Sequence, residues 1–340
     1  MKDVKYLFAY IVPILTYIAI DNKGLWSYSS FVFAFGIVPL LDTFAGTNPE
    51  NDSPQVQSSK LNNVFFDVLL YINVPLLYGI IGYFIHQLHT AELHTYETIG
   101  LMLSTGTMMG SLGINIAHEL GHKKELHKRV MGQLLLLPSL YMHFTMEHNL
   151  GHHKNVATPD DPATAKRGQS IYFFWIKSII GTYVNAWRLQ SRLLQKEQKS
   201  FFSIANKQLM AAAIQILFLS SLLIWGGAKL LFLFICTALF SVLLLETINY
   251  IEHYGLQRKK LESGRYERVK PIHSWNSDHQ IGRILLYELT RHSDHHYMAH
   301  KKYQVLESHR EAKQLPFGYP ACMLLSLVPP VWFRVMHKRI

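Results

Sequence analysis

Long apolar runs separated by short polar joints dominate this chain. Six of them, residues 4–20, 25–41, 64–88, 99–117, 206–225 and 228–250, reach about the 17–25 residues that a helix needs to cross a bilayer. The first two are the shortest and are joined by DNKG, which predicts a helical hairpin. The opening MKDVK followed by an apolar stretch resembles a signal sequence; with no small-residue cleavage site after it, an uncleaved signal anchor is expected. Residues 130–144, 171–184 and 319–333 are also apolar. They are too short to span, or are broken by Pro138, Pro320, Pro329 and Pro330, and so predict interfacial or re-entrant pieces lying against the bundle. The polar stretch 48–59 reads as a flexible loop between the second and third helices. The fold class predicted is an all-α membrane protein: six transmembrane helices with a cytoplasmic histidine-rich cap. Helices one to four fall in residues 1–117, the cap's first part in 118–205, helices five and six in 206–250, and its second part in 251–340.

Composition agrees with that pattern. Hydrophobic residues make up 49% of the 340 and charged residues 16%, against roughly a quarter charged in soluble domains. The net charge of +10 invites a nucleic-acid reading, but no binding motif supports one, and the placement of the charges answers differently. With the N-terminus inside, Lys23 and Lys229 alone of the 33 Lys and Arg fall in outer connections, a strong positive-inside bias. The charge is then a topology signal plus attraction to anionic headgroups. Two cysteines, Cys236 and Cys322, exclude a disulfide scaffold, a four-cysteine zinc site or a fused thiolate iron domain.

Histidine is the anomaly, with 19 residues. Eight form three compact boxes. NIAHELGHKK holds His118 and His122 at i,i+4, on one face if the fourth helix continues past the membrane surface. MEHNLGHHKNVATPDDPA holds His148 and His152 at i,i+4, with His153 turned about 100° away on a regular helix. LTRHSDHH holds His292, His295 and His296, whose spacings predict a common helical face. His253, in ETINYIEHYG at the inner end of the sixth helix, is a ninth candidate. Each group has an adjacent acid, Glu119, Glu147, Glu252 and Asp294, suited to accept the second ring N–H of a metal-bound imidazole. One of these acids could instead be a direct ligand. His86, His89, His94, His127, His143, His300, His309 and His337 read as packing or surface residues, and His273 and His279, in HSWNSDH, as structural rather than ligating.

HELGH also matches the zincin signature, in which Glu119 would be the general base of a zinc intramembrane protease. That site leaves six histidines without a task, whereas nine imidazoles fit two metals at four or five each. A metal transporter would hold its ligands near the bilayer midplane, not at helix ends. Imidazole donors alone leave iron, zinc, copper and nickel open.

HELGHK, EHNLGHHKNVATPDDPA, NYIEHYG and LTRHSDHH, in this order around six membrane helices, resemble the membrane-bound alkane monooxygenases. These belong to a histidine-box superfamily with fatty-acid desaturases, xylene monooxygenase and carotenoid and sterol hydroxylases. The short boxes are shared across the superfamily; VATPDDPA and NYIEHYG point to the hydroxylase branch.

The resemblance implies a multi-pass protein of the bacterial inner membrane, with both termini and the active site cytoplasmic. It implies two non-haem irons held by His118, His122, His148, His152, His153, His253, His292, His295 and His296, with O2 as co-substrate. The reaction implied is terminal hydroxylation of a medium-chain alkane that enters from the bilayer. A sister oxygenase acting on methyl-aromatics or lipids is the near alternative. No flavin or dinucleotide fingerprint is present, and the chain ends at Ile340 without a fused rubredoxin. Electrons are therefore expected from a separate rubredoxin and its reductase. Lys123, Lys124, Lys166, Arg167 and Arg258 could steer an acidic partner or merely obey the positive-inside rule. Gly106, Gly110 and Gly113 predict close helix contact along the fourth helix.

Overall fold

A computed structural model describes residues 2–340. Among the described residues five helical stretches are long and apolar enough to cross a membrane: α1 (Asp3–Asn22), α2 (Gly24–Ala45), α3 (Val64–Thr90), α4 (Thr95–Gly121) and α7 (Lys207–His253). The last runs 47 residues and covers both the fifth and the sixth apolar run. Gly227, at φ 74°, breaks it where only a residue without Cβ is unstrained. Beyond the break the chain doubles back, because the rings of Phe218 and Phe234 meet edge-on at 5.3 Å. In a straight helix those residues would stand about 24 Å apart.

The α1–α2 turn is tied to the start of α4. Glu97 accepts the Gly24 N–H at 2.7 Å and the His94 N–H at 2.8 Å, satisfying one donor in the turn and one at the helix N-terminus. Helix α4 then sinks into the bundle because its inward residues are small. A Cβ on Gly106 would stand 2.6 Å from Phe240 Cδ1 and 3.1 Å from the Thr237 carbonyl; one on Gly110 would stand 3.3 Å from Leu244 Cδ1. Both glycines therefore admit α7. Gly113 faces the other way, toward Leu77 of α3 and the Leu135 carbonyl of α5 (Leu126–Leu136).

The expected interfacial pieces are helical. They are α5, the 26-residue α6 (Ile171–Lys196), and the short pair α10 (Tyr319–Ser326) and α11 (Pro329–Met336). Between them lie α8 (Gln280–Leu285), α9 (His292–Tyr297) and a parallel pair of two-residue strands, β1 (Trp275–Asn276) and β2 (Lys313–Gln314). A second apolar core around Trp275, Tyr250, Tyr254 and Trp332 glues this cap to the end of α7.

The 48–59 segment is not a loose loop. It contains the helix Pro54–Leu61, and buried Arg291 donates to the carbonyls of Glu50 at 2.8 Å and Asn48 at 3.2 Å. Asn51 and Ser308 exchange hydrogen bonds at 2.9 and 2.8 Å. Polarity made the segment look solvated, but its backbone carbonyls are acceptors for cap arginines. Tyr6 at the foot of α1 donates to Glu288 of the cap at 2.7 Å, so the N-terminal end and the cap share one side of the bundle.

Candidate metal centre

The eight histidines of the boxes and His253 converge where α4, α7 and the cap meet, in two groups. His118, His122, His148, His153 and His295 form one; His152, His253, His292 and His296 form the other. Within each group one ring nitrogen per residue lies within 4.8 Å of all the rest. The groups adjoin, with the rings of His153 and His296 4.4 Å apart.

Local backbone geometry makes this division. His118 and His122 project from the last turn of α4, which enters through a widened turn over Met109–Ile114. The second box contains another such turn at His148–His152, where the His153 N–H bonds to the His148 carbonyl, five residues back rather than four. On a regular helix His148 and His152 would share a face, as the spacing predicts. The extra residue brings His148 and His153 together instead, Nε2 to Nε2 at 2.9 Å, and turns His152 to the other group, where its Nε2 lies 3.2 Å from that of His296. Helix α9 stands between the groups. His292 and His296 turn to one, and His295 turns to the other, its ring 4.4 Å from that of His118. The common face expected for these three is divided by the 100° between successive residues.

The donor set fits metal ions. Imidazole nitrogens bound at about 2.0–2.1 Å to one ion, roughly 90–110° apart, lie about 2.8–3.4 Å from each other. The His148–His153, His152–His296 and His253–His292 nitrogen pairs lie at 2.9, 3.2 and 3.2 Å. His118 Nε2, His122 Nε2 and both nitrogens of His295 are buried with no hydrogen-bond partner among the described residues, an expensive arrangement unless they serve as ligands. Burial, followed by the neighbouring imidazoles, holds His148, His153, His292, His295 and His296 well below the usual imidazole value. They are thus neutral, the form that a metal takes.

The acids differ from expectation. Of the four sequence neighbours only Glu252 reaches a cluster ring, its Oε2 3.1 Å from His292 Nε2. Glu119 pairs with Lys123 and accepts the Tyr303 N–H at 3.2 Å; Glu147 accepts from Asn185 at 2.9 Å. Asp294 accepts from Lys301 and His309, both at 2.7 Å. On a helix a neighbouring side chain points about 100° away, so an acid beside a ligand usually faces elsewhere. Burial pushes Glu147 up to about 7, and the charge of Asp161 adds to it.

The carboxylate that sequence reasoning missed is Asp161, in the TPDDPA turn. It is buried, with Oδ2 2.9 Å from His152 Nδ1, and it is fixed by Thr164 Oγ1 at 2.6 Å and the Ala163 N–H at 3.1 Å. Burial alone would lower His152; the Asp161 carboxylate outweighs it and holds the ring above its ordinary value. The only signal was the motif itself, in which Asp161 is one of two adjacent aspartates.

His273 and His279 lie outside both groups: His273 accepts the Lys270 N–H at 3.0 Å, and His279 meets Ser277 at 3.1 Å. Of the histidines set aside as packing or surface residues, His143 is buried against Tyr141 and Tyr183, and His309 is engaged with Asp294.

A cavity of about 110 Å³ opens onto the cluster. Its walls are largely apolar, including Val12, Phe33, Val38, Gly110, Leu244 and Leu285, and it ends on His118 and His148 of one group and His292 of the other. Glu252 and Tyr319 line the same end, the tyrosine donating to the carboxylate at 2.7 Å.

A bundle of apolar helices delivering nine histidines to one end defines a histidine-box membrane protein. The family model for fatty acid desaturases matches residues 95–326. The chain belongs to the alkane 1-monooxygenase family. It is 37% identical to alkane 1-monooxygenase 2 of Alcanivorax borkumensis, over 97% of this chain and 87% of that one. It is 40% identical to the alkane 1-monooxygenase of Ectopseudomonas oleovorans, over 90% of this chain and 76% of that one. The hydroxylase component of xylene/toluene monooxygenase from Pseudomonas putida matches at 28%, over 97% and 87%.

Proposed function

We propose that this protein uses O2 to hydroxylate the terminal carbon of medium-chain n-alkanes, at a pair of iron ions held by the two histidine groups. The observation that carries this reading is the apolar cavity ending on both groups at once. Family membership supports the reaction class.

Iron bound there would supply the activation of O2 and the electron transfers that C–H hydroxylation requires. The remaining work falls to the chain. His118, His122, His148, His153 and His295 hold one ion, and His152, His253, His292 and His296 the other. Asp161 keeps the Nδ1 of His152 as a donor, leaving Nε2 for the metal. Glu252, held by Tyr319, stands at the cavity mouth beside the same Nε2 of His292 that faces His253, and so on the metal side of that ring. An alkane offers no polar handle, so its affinity comes from burial, about 0.8 kcal/mol per CH2. Neighbouring chain lengths then differ by only about fourfold in affinity, and terminal selectivity comes from a cavity that presents one end of the chain to the histidines.

Folding back at Gly227 supports six crossings, with α7 contributing two. The cap and both termini then lie on the cytoplasmic side of the bacterial inner membrane, where the Lys and Arg concentrate. The layout is residues 1–117 and 206–250 for the helices, and 118–205 and 251–340 for the cap. Rubredoxin and its reductase supply the electrons in trans.

The test is octane turnover under labelled O2 by iron-loaded protein with rubredoxin, reductase and NADH. Labelled 1-octanol is expected. No product from fully loaded protein, together with turnover of a xylene, moves the substrate to methyl-aromatics.

A further inference from the structure

Helix α6 has a face that none of the described residues covers. Its inward stripe, Ile171, Phe174, Ser178, Thr182, Ala186, Gln190 and Leu194, is buried on the bundle. The opposite stripe is exposed and apolar: Phe173 at 64%, Ile176 at 62% and Ile180 at 59%, continuing through Tyr183 and Val184. An exposed stripe of this kind on a soluble surface would be an association site.

The attachments of α6 show how it lies. Near one end Trp175 donates to Thr247, close to the last turn of α7; near the other, Gln190 accepts the N–H of Lys207, the first residue of α7. Since α7 doubles back at Gly227, both points are on the cap side. A helix about 39 Å long that joins them runs along the membrane surface rather than through it.

The exposed stripe changes character on the same face. After Trp187 come Arg188 and Arg192, both exposed, which line a groove with Tyr183, Trp187, Ser191 and Gln195. Helix α6 contains no acidic residue, and Glu197 just beyond it pairs with Lys199 at 2.7 Å. Among the described residues neither guanidinium has a carboxylate within ion-pair distance. Two unpaired guanidiniums one turn apart, beside an indole and continuous with an apolar stripe, match one kind of occupant. It has a phosphodiester for the arginine fork and hydrocarbon for the stripe.

We propose that the groove at Arg188 and Arg192 binds the phosphate headgroup of an anionic phospholipid, whose acyl chains cover Phe173–Trp187. The site is separate from the metal centre and does not depend on the reaction assigned to it.

The test uses the full protein in phosphatidylcholine bilayer discs containing a minor fraction of phosphatidylglycerol, with brominated acyl chains on one lipid or the other. Trp187 fluorescence, isolated by subtracting the Trp187→Phe protein, reports contact with brominated chains. Per lipid present, phosphatidylglycerol should occupy the groove about fivefold more for each arginine, the equivalent of ~1 kcal/mol per cation near a membrane surface. Arg188→Gln with Arg192→Gln should reduce its quenching to that of phosphatidylcholine, while the phosphatidylcholine signal persists. Equal quenching by the two lipids in the unaltered protein overturns the proposal. So does a preference that survives loss of both arginines. Absence of quenching by either lipid also overturns it, and gives the face to a protein partner or a second copy.

Discussion

Asp161 Oδ2 lies 2.9 Å from His152 Nδ1, and both side chains are buried. The carboxylate sets which ring nitrogen carries the proton and so frees Nε2 toward His296. Asp161→Asn keeps the size but exchanges the charge for a weaker acceptor. Affinity for the metal of the four-histidine group should fall 10–100-fold, the usual cost of removing a carboxylate behind a ligand histidine. Metal analysis after dialysis against a graded chelator reads this directly. Retention of both ions at every chelator concentration would show that Asp161 does not support the site.

The division into five and four histidines predicts a stoichiometry. His253→Ala removes a donor from one group, and His295→Ala a donor from the other. Each should bring the metal content from two ions per chain to about one, and iron spectroscopy should show different survivors. Activity should be lost in both, because the cavity ends on both groups. Protein that keeps two ions after either change contradicts the grouping. Proteolytic activity that survives His292→Ala, His295→Ala and His296→Ala combined would instead fit a zinc protease built on His118, Glu119 and His122.

Gly106 and Gly110 lie one turn apart on α4 but differ in the space around them. A methyl at Gly106 would meet Phe240 at 2.6 Å and the Thr237 carbonyl at 3.1 Å; at Gly110 the nearest atom is a leucine methyl at 3.3 Å. A leucine side chain can give by a few tenths of an ångström, whereas a backbone carbonyl cannot. Gly106→Ala should therefore cost about 1–3 kcal/mol through overpacking, and Gly110→Ala less. Thermal unfolding in one detergent should rank them in that order; the reverse order would mean that α4 and α7 pack differently.

Much of this was legible in the sequence because membrane spans and ligand pairs are local signals. The apolar runs gave the helices, and HELGH gave a pair that stays together because α4 continues through it. The partition of the other histidines was not legible, since the widened turn at His148–His152 and the rotation between His295 and His296 are responses to packing. Asp161 was hidden for a related reason: its partnership with His152 depends on a turn closed by Thr164. The gap between the runs 206–225 and 228–250 gave two separate helices with a turn between them, and the Phe218–Phe234 contact is the structural counterpart of that reversal.

Cys322 is fully buried on α10 and donates to the Phe317 carbonyl at 3.3 Å. Burial disfavours the thiolate and pushes its pKa up to about 12. At pH 8 the reactive anion is then on the order of one part in ten thousand. Iodoacetamide at pH 8 should leave Cys322 unmodified in the folded protein and alkylate it in dodecyl sulfate, as peptide mass spectrometry would show. Rapid labelling in the folded state would mean that α10 opens, and with it the Tyr319–Glu252 contact at the cavity mouth.

The cavity follows α4 from His118 to Thr107, a rise of about 16 Å along the helix. Thr107 is buried and donates to Leu103 within its own helix at 2.8 Å, so its replacement leaves no distant partner unsatisfied. Thr107→Leu adds bulk at the end remote from the histidines. A long alkane must then leave methylenes without burial, at about 0.8 kcal/mol each, which is about fourfold in affinity per methylene. A short alkane that never reaches Thr107 loses nothing. Competition between octane and longer alkanes in one vessel should shift toward octane, with 1-octanol still the product and metal content unchanged. Equal loss for all lengths would place Thr107 in the packing of α4 rather than at the end of the substrate's path, and attack at internal carbons would mean that the cavity does not present the terminus.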